Sequence, residues 1–265
     1  MTDKTVYDFA VIGAGVVGNA IARDLAGTRH TVALIDARDD VCEGTSKANT
    51  AILHTGFDAS PGTLESQLVR EGYHLTGEYA EQTGIGLKRS GAILVAWDEE
   101  EKATLPSLQE KAVKNDYHKT EILSSEEVYE QLPHLGEGAL AGLAVPDESI
   151  IDAWSVPLAF ATDAVNRGAT LLLEHRVEAV TRGTESTVLH TDRGDVEARW
   201  VINAAGLGGD TIDSFFGFDR IKVHPRKGEL FVFDKLSSQL VDQFVLAVPS
   251  KKGKGVLVSP TAFGN

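Results

Sequence analysis

Three glycines with the spacing G-x-G-x-x-G, at Gly13, Gly15 and Gly18, follow a short apolar run, and a second apolar run ends at Asp36. Gly13 allows a sharp turn, and Gly15 lets an anion approach the free N–H groups at the positive end of a helix dipole. A carboxylate one strand over is placed to accept hydrogen bonds from ribose hydroxyls. The pattern predicts a site for an ADP-containing dinucleotide, and a glycine-rich turn that serves packing alone is the alternative.

The apolar pattern indicates the elements that must position these residues. The run over 9–12 is too short for a helix and predicts a buried strand, and the run over 32–35 predicts another. Between them, apolar residues at helical spacing predict a helix over 16–26 that Gly27 ends. The order strand, glycine turn, helix, strand and acid is typical of a Rossmann-like nucleotide-binding unit.

The composition limits the classes of function. The chain of 265 residues is 42% hydrophobic, which is enough for one large or two modest domains with a sizeable core. The net charge of -14 argues against nucleic acid as a partner and gives no general attraction to anionic lipid. Cys42 is the only cysteine, so we expect no intramolecular disulfide and no cysteine-based metal site, and no metal-binding residues are assigned. Without a signal-peptide pattern or an apolar run near the ~20 residues that span a bilayer, a cytoplasmic protein is expected.

Further helices and strands follow along the chain. Helices are predicted from Ser60-Pro61 to Gly84, from Asp98 through His118, from the capping box Ser124–Glu127 to Pro133, from Ser155 to Gly168, and from 209 to Phe216. Strands are predicted over 88–97, 142–145, 171–173, 177–180, 187–191, 197–205, 230–233, 245–248 and 255–259, the last two as a hairpin with a basic tip at 251–254.

This order predicts an α/β chain in which a Rossmann-like FAD- or NAD(P)-binding domain is interleaved with a mixed-sheet α+β substrate domain. Residues 1–85 and 148–216 are expected to form the nucleotide-binding domain. Residues 86–147 and 217–265 are expected to form the substrate or cap domain.

Four stretches together resemble the FAD-dependent D-amino-acid-oxidase-like (DAO) flavoprotein superfamily. They cover Gly13 to Asp36, Gly44 to Gly56, Ile150 to Ala169, and Val201 to Gly206. Within it, the chain is most similar to the FAD-dependent glycerol-3-phosphate dehydrogenases and to the L-2-hydroxyglutarate oxidases. The segments 58–64 and 225–229 look more like the glycerol-3-phosphate branch.

The resemblance implies FAD as the cofactor and assigns residues to it. The ADP half would lie on the first turn and the end of the second strand, at Gly13, Ala14, Gly15, Val16, Val17, Gly18, Asp36 and Ala37. The pyrophosphate and ribityl chain would meet Thr45, Ser46 and Asn49, the backbone of Val177 would face the adenine, and Ala205 with Gly206 would line the path of the dinucleotide.

The resemblance also implies hydride transfer from an alcohol carbon to the flavin, while a base takes the hydroxyl proton. His54 is the candidate base, and a histidine satisfied by neighbouring backbone is the alternative. Arg226 and Lys227 are candidates for holding a substrate phosphate or carboxylate, and the alternative is a solvent-facing strand start.

The expected reaction is FAD-dependent oxidation of a secondary alcohol, first of all sn-glycerol 3-phosphate to dihydroxyacetone phosphate. Oxidation of L-2-hydroxyglutarate or of another hydroxy or amino acid is one alternative, and an NAD-dependent dehydrogenase is a second. A shortened, non-catalytic FAD-binding remnant is a third, because family members continue past 259–265 into a glycine-rich segment that covers the flavin ring. The family further implies a quinone or another electron acceptor, and with it peripheral contact with the inner face of a membrane.

Overall fold

The computed structural model describes residues 5–249 and 255–265. The strands in chain order are β1 (Val6–Ile12), β2 (Val32–Ile35), β3 (Ile52–Leu53), β4 (Leu87–Arg89), β5 (Ala92–Ala96), β6 (Glu121–Ser124), β7 (Ala141–Val145), β8 (Ser149–Ile151), β9 (Thr170–Leu172), β10 (Val177–Arg182), β11 (Thr187–Thr191), β12 (Gly194–Asn203) and β13 (Phe244–Ala247). The helices are α1 (Val16–Ala26), α2 (Leu64–Thr83), α3 (Glu99–Lys114), α4 (Ser125–Gln131), α5 (Ser155–Asn166) and α6 (Gly209–Phe215).

The chain divides into two compact units, each built from two segments. The first unit combines the residues up to Asn49 with Ala153–Glu229, and the second combines Thr50–Asp152 with Leu230–Asn265. Residues 50–85 and 148–152, placed in the nucleotide-binding domain by the predicted boundaries, group with the second unit instead, and residues 217–229 group with the first. The reason for residues 50–85 is that β3 joins β8 and β4 in a three-stranded sheet, and Phe57 packs in the apolar core of β5 and β7. The function of each unit stays a prediction.

A six-stranded sheet of order β10-β11-β12-β1-β2-β9 forms the first unit. Strands β12, β1, β2 and β9 run parallel, and β10 to β12 form an antiparallel meander. Strand β2 is buried along its whole length, as expected of a parallel strand covered on both faces. Alanines of α1 and α5, such as Ala22 and Ala164, pack with Val11 and Leu34 in one apolar cluster. This architecture confirms the predicted α/β fold class.

The second unit contains a four-stranded sheet of order β13-β5-β7-β6 beside the three-stranded one. Strand β5 is buried at every residue, and its core includes Leu105 of α3, Leu143 of β7 and Phe244 of β13. The continuous strand predicted over 88–97 is divided into β4 and β5. Gly91 causes the break, because it adopts a φ of +71° between them.

Helices α2 and α4 each begin directly after a residue whose side chain caps the helix N-terminus. The capping box predicted at Ser124–Glu127 is present: the hydroxyl of Ser124 accepts from the N–H of Glu127, whose carboxylate accepts from the N–H of Ser124. Helix α2, in contrast, does not begin at Ser60-Pro61. It begins after Thr63, whose hydroxyl accepts from the N–H of Ser66. Gly62, at φ +77°, forms a turn before this cap and keeps the preceding residues out of the helix.

The prediction of a strand over 230–233 is wrong. Residues 217–243 contain no strand, and the four side chains from Leu230 to Phe233 are exposed. An apolar run becomes a strand only where a neighbouring strand supplies hydrogen-bond partners, and no strand among the described residues pairs with this run. The predicted hairpin over 245–259 is reduced to β13 and one antiparallel bridge between Val245 and Val258. Its basic tip at 251–254 lies outside the described residues. No helix in the described ranges is both long and apolar enough to cross a membrane.

We expect Gly18→Ala to destabilise the first unit by about 3 kcal/mol or more, because a Cβ at Gly18 would overlap the carbonyl oxygen of Gly13. Gly209→Ala is the matched control, since Gly209 is helical and a Cβ there meets no atom within 4 Å. The control is expected to change stability by no more than about 1 kcal/mol, in the favourable direction. Urea unfolding followed by circular dichroism measures both. Equal stability of the two variants would contradict the packing account.

Candidate cofactor-binding site

The turn between β1 and α1 is built by close backbone contacts. Gly13 has a φ of +105°, and its N–H donates to the carbonyl oxygen of Ile35 at 2.7 Å. A Cβ at Gly13 would overlap the carbonyl oxygen of Ala204 on the other neighbouring strand, and a Cβ at Gly18 would overlap Gly13 itself. These two glycines therefore let the backbone turn sharply and bring α1 close to the sheet.

The N-terminus of α1 is open to an anion. Gly15 is the N-cap residue and has no side chain to cap the helix, and the first turn carries no acidic residue. The Val16 N–H donates to the hydroxyl of Ser46 at 2.9 Å. A Cβ at Gly15 would lie 3.1 Å from that same hydroxyl oxygen. The N–H groups and the positive end of the helix dipole favour negative charge at this position.

Asp36 lies at the end of β2, and both of its carboxylate oxygens are oriented by backbone N–H groups. Oδ2 accepts from Ala14 at 2.7 Å and Oδ1 accepts from Arg38 at 2.9 Å. Each carboxylate oxygen offers more than one acceptor position, so capacity for a ribose hydroxyl remains. The carboxylate is thereby fixed against the glycine turn.

A cavity of about 990 Å³ extends over this edge of the sheet, entirely within the first unit. Its lining includes twelve residues that the sequence assigned to the cofactor: Gly13, Gly15, Val16, Val17, Asp36, Ala37, Thr45, Ser46, Asn49, Val177, Ala205 and Gly206. Ala14 and Gly18 do not line it. Ala14 is fully buried, and Gly18 packs against Gly13. Both residues therefore support the conformation of the turn without lining the cavity. Contact of these residues with a cofactor stays a prediction.

A family model described as FAD dependent oxidoreductase matches residues 8–265. The chain belongs to this family. FAD is the family's cofactor, and the site geometry fits it: a helix N-terminus without acidic residues for phosphates, a fixed carboxylate for a ribose, and a cavity large enough for a cofactor.

Two curated relatives show the range within the family. The chain is 35% identical over 98% of its length to a glycerol 3-phosphate dehydrogenase of Caloramator mitchellensis, covering 54% of that protein. It is 26% identical over 92% of its length to an L-2-hydroxyglutarate dehydrogenase of Indibacter alkaliphilus, covering 61% of it. The chain thus spans little more than half the length of these relatives.

One solved structure shows the same fold. The dithionite-reduced L-alpha-glycerophosphate oxidase from Mycoplasma pneumoniae, with FAD bound, superposes with a TM-score of 0.83 at 23% identity. The alignment covers 98% of this chain and 70% of that one. The likeness shows that the two chains share a fold.

Sequence reasoning missed Asn19, which stabilises the turn between β1 and α1 from inside. Its side chain is fully buried, and Nδ2 donates to the carbonyl oxygen of Ala14 at 2.9 Å and lies 3.5 Å from Sγ of Cys42. Burial raises the pKa of the Cys42 thiol to about 11, so it is neutral at pH 7 and serves packing. The sequence did contain a signal for this role, because the amide of Asn19 lies on the same face of α1 as the buried residues Ala22 and Ala26.

The candidate catalytic residues are not part of the cavity lining. His54 belongs to the second unit, where its Nδ1 lies 3.0 Å from Oε2 of Glu148. Arg226 and Lys227 belong to the first unit, in an exposed stretch without regular structure, and Lys227 pairs with Glu229 at 2.8 Å. Among the described residues, no group of three or more His, Cys, Asp or Glu could hold a metal ion.

We expect Asp36→Asn to weaken FAD binding by roughly 10- to 100-fold, the range of a lost hydrogen bond to a charged group. The amide replaces one acceptor oxygen with a donor, either at the ribose or opposite the N–H of Ala14. Asp39→Asn, an exposed neighbour in the following loop, is the control and should bind as the wild type does. Fluorescence titration of the FAD-stripped protein measures both affinities. Equal affinities for the two variants would exclude Asp36 from the site.

Proposed function

We propose that this protein oxidises sn-glycerol 3-phosphate to dihydroxyacetone phosphate in an FAD-dependent reaction. The observation that carries the proposal is the 35% identity, over nearly the whole chain, to a protein named glycerol 3-phosphate dehydrogenase. The oriented carboxylate and open helix N-terminus of the first unit support the cofactor half of the proposal.

Bound FAD supplies a two-electron acceptor for the hydride that leaves the alcohol carbon. The ADP portion would be held by the turn from Gly13 to Gly18 and by Asp36, with Ser46 at the helix N-terminus. His54 takes the hydroxyl proton as the carbonyl forms, so the alcohol loses one hydride and one proton. Arg226, with a planar fork of donors, and Lys227, with a compact charge, hold the substrate phosphate.

L-2-hydroxyglutarate is the second candidate substrate, favoured by the similarity to L-2-hydroxyglutarate dehydrogenases. It is also a secondary alcohol, but it carries carboxylates in place of a phosphate. The proposal includes a quinone or another small electron acceptor as the second substrate, and peripheral contact with a membrane as its setting.

Anaerobic mixing of the FAD-loaded protein with each alcohol tests the proposal. We expect sn-glycerol 3-phosphate to bleach the flavin absorbance, and L-2-hydroxyglutarate to leave it unchanged. Bleaching by L-2-hydroxyglutarate alone would transfer the assignment to the second candidate. No bleaching by either alcohol would overturn the proposed reaction.

His54→Asn, in the same experiment, is expected to slow bleaching by roughly 10²- to 10⁴-fold while FAD stays bound, since that is the usual contribution of a general base. The matched control is His134→Asn, an exposed histidine of the second unit, which should bleach at the wild-type rate. An unchanged rate for His54→Asn would exclude it as the base.

A further inference from the structure

Glu148 is a carboxylate buried in the second unit, with only 1% of its side chain exposed. It lies in the turn between β7 and β8. Its backbone N–H donates to the carbonyl oxygen of Val145 at 3.3 Å, and its carbonyl oxygen accepts from the N–H of Gly91 at 2.8 Å. The backbone that carries this carboxylate is therefore fixed on both sides.

One oxygen of the Glu148 side chain is occupied by Thr55. Oε1 accepts from the Thr55 backbone N–H and from its hydroxyl, both at 2.8 Å, and Thr55 is itself buried. The other oxygen, Oε2, lies 3.0 Å from Nδ1 of His54, whose side chain is 44% exposed. Within the described part of the chain, no group meets the geometry of a hydrogen bond to Oε2, although Nδ1 of His54 lies within hydrogen-bonding distance. A buried carboxylate thus meets one edge of a half-exposed imidazole.

We propose that Glu148 is the positioning residue of His54, holding a proton on Nδ1 so that Nε2 is the nitrogen that exchanges a proton with the substrate. A buried carboxylate oxygen without a donor is costly, and Nδ1–H of His54 is the donor within reach. A neutral imidazole carries one N–H, so donation from Nδ1 leaves Nε2 as an acceptor. The catalytic consequence rests on the proposed function, but the assignment of the proton to Nδ1 does not.

Replacement of Glu148 by glutamine makes the assignment testable, because the Thr55 backbone N–H can only donate. It will bind the amide oxygen of the glutamine, which turns the NH₂ group toward Nδ1 of His54. Nδ1 must then act as an acceptor, so the ring proton moves to Nε2. Glutamine has nearly the same shape as glutamate, but in this variant Nε2 of His54 can no longer accept a proton from an alcohol.

The first measurement is the tautomer of His54 in the full FAD-loaded chain, labelled with ¹⁵N-histidine. Two-bond ¹H–¹⁵N correlations distinguish the tautomers at a pH where the ring is neutral, and His54→Asn assigns the signals. We expect Nδ1–H in the wild type and Nε2–H in Glu148→Gln. Nε2–H in the wild type, or an unchanged tautomer in the variant, would overturn the inference. The wild-type spectrum decides the assignment even if the variant does not fold.

The second measurement is steady-state oxidation of sn-glycerol 3-phosphate with an artificial electron acceptor. Glu148→Gln is expected to lower kcat by roughly 10²-fold or more with little change in KM, since the base would hold its proton on the wrong nitrogen. Glu126→Gln, at an exposed position in α4, is the control and should keep the wild-type kcat. A tautomer shift with kcat within about 2-fold of wild type would overturn the positioning role. A wild-type protein that oxidises no alcohol would instead overturn the proposed function, and the spectra alone would then decide the tautomer.

Discussion

The close approach of α1 to the glycine turn is the constraint on which the first unit depends. The carbonyl oxygen of Gly13 occupies the space that a Cβ of Gly18 would need, and the carbonyl oxygen of Ala204 occupies the space beside Gly13. Only glycine fits at positions 13 and 18, because any other residue would place a Cβ in that space. Because of this contact, the N-terminus of α1 is placed at the carboxyl edge of the parallel strands, where the positive end of its dipole favours an anion. The same turn directs the N–H of Ala14 at the carboxylate of Asp36, so the helix N-terminus and the oriented carboxylate are parts of one arrangement.

The sheet brings together residues that are distant in the sequence. Because β12, β1 and β2 are parallel neighbours, the segments that follow them meet at one edge, which is where open α/β sheets bind ligands. Asp36 follows β2, and Ala205 and Gly206 follow β12, and all three line the same cavity. The second unit contains a different kind of site. There, Thr55 and Glu148 form a buried hydrogen-bonded pair beside the half-exposed ring of His54.

Features that depend on local sequence could be predicted, and features that depend on distant partners could not. The first strand, helix and second strand follow from apolar spacing and glycine placement, and the box at Ser124 follows from capping chemistry. The run from Leu230 to Phe233 has the residues of a strand but no partner, and an isolated sequence pattern does not reveal a partner. Strand β3 belongs to the second unit and pairs with β8, which lies about one hundred positions later. Asn19 and Glu148 were missed because their significance comes from burial, which no spacing rule expresses for a single polar residue.

The central claim is that the turn after β1 holds the pyrophosphate of an adenosine diphosphate and that the carboxylate at the end of β2 holds its ribose. A crystal structure of the protein with FAD tests it most directly. The account predicts the pyrophosphate at the N-terminus of α1, against Gly15 and beside the Ser46 hydroxyl that accepts from the N–H of Val16, with a ribose hydroxyl within hydrogen-bond distance of Asp36. Density for FAD away from this turn, or an adenosine ribose that does not contact Asp36, would contradict it.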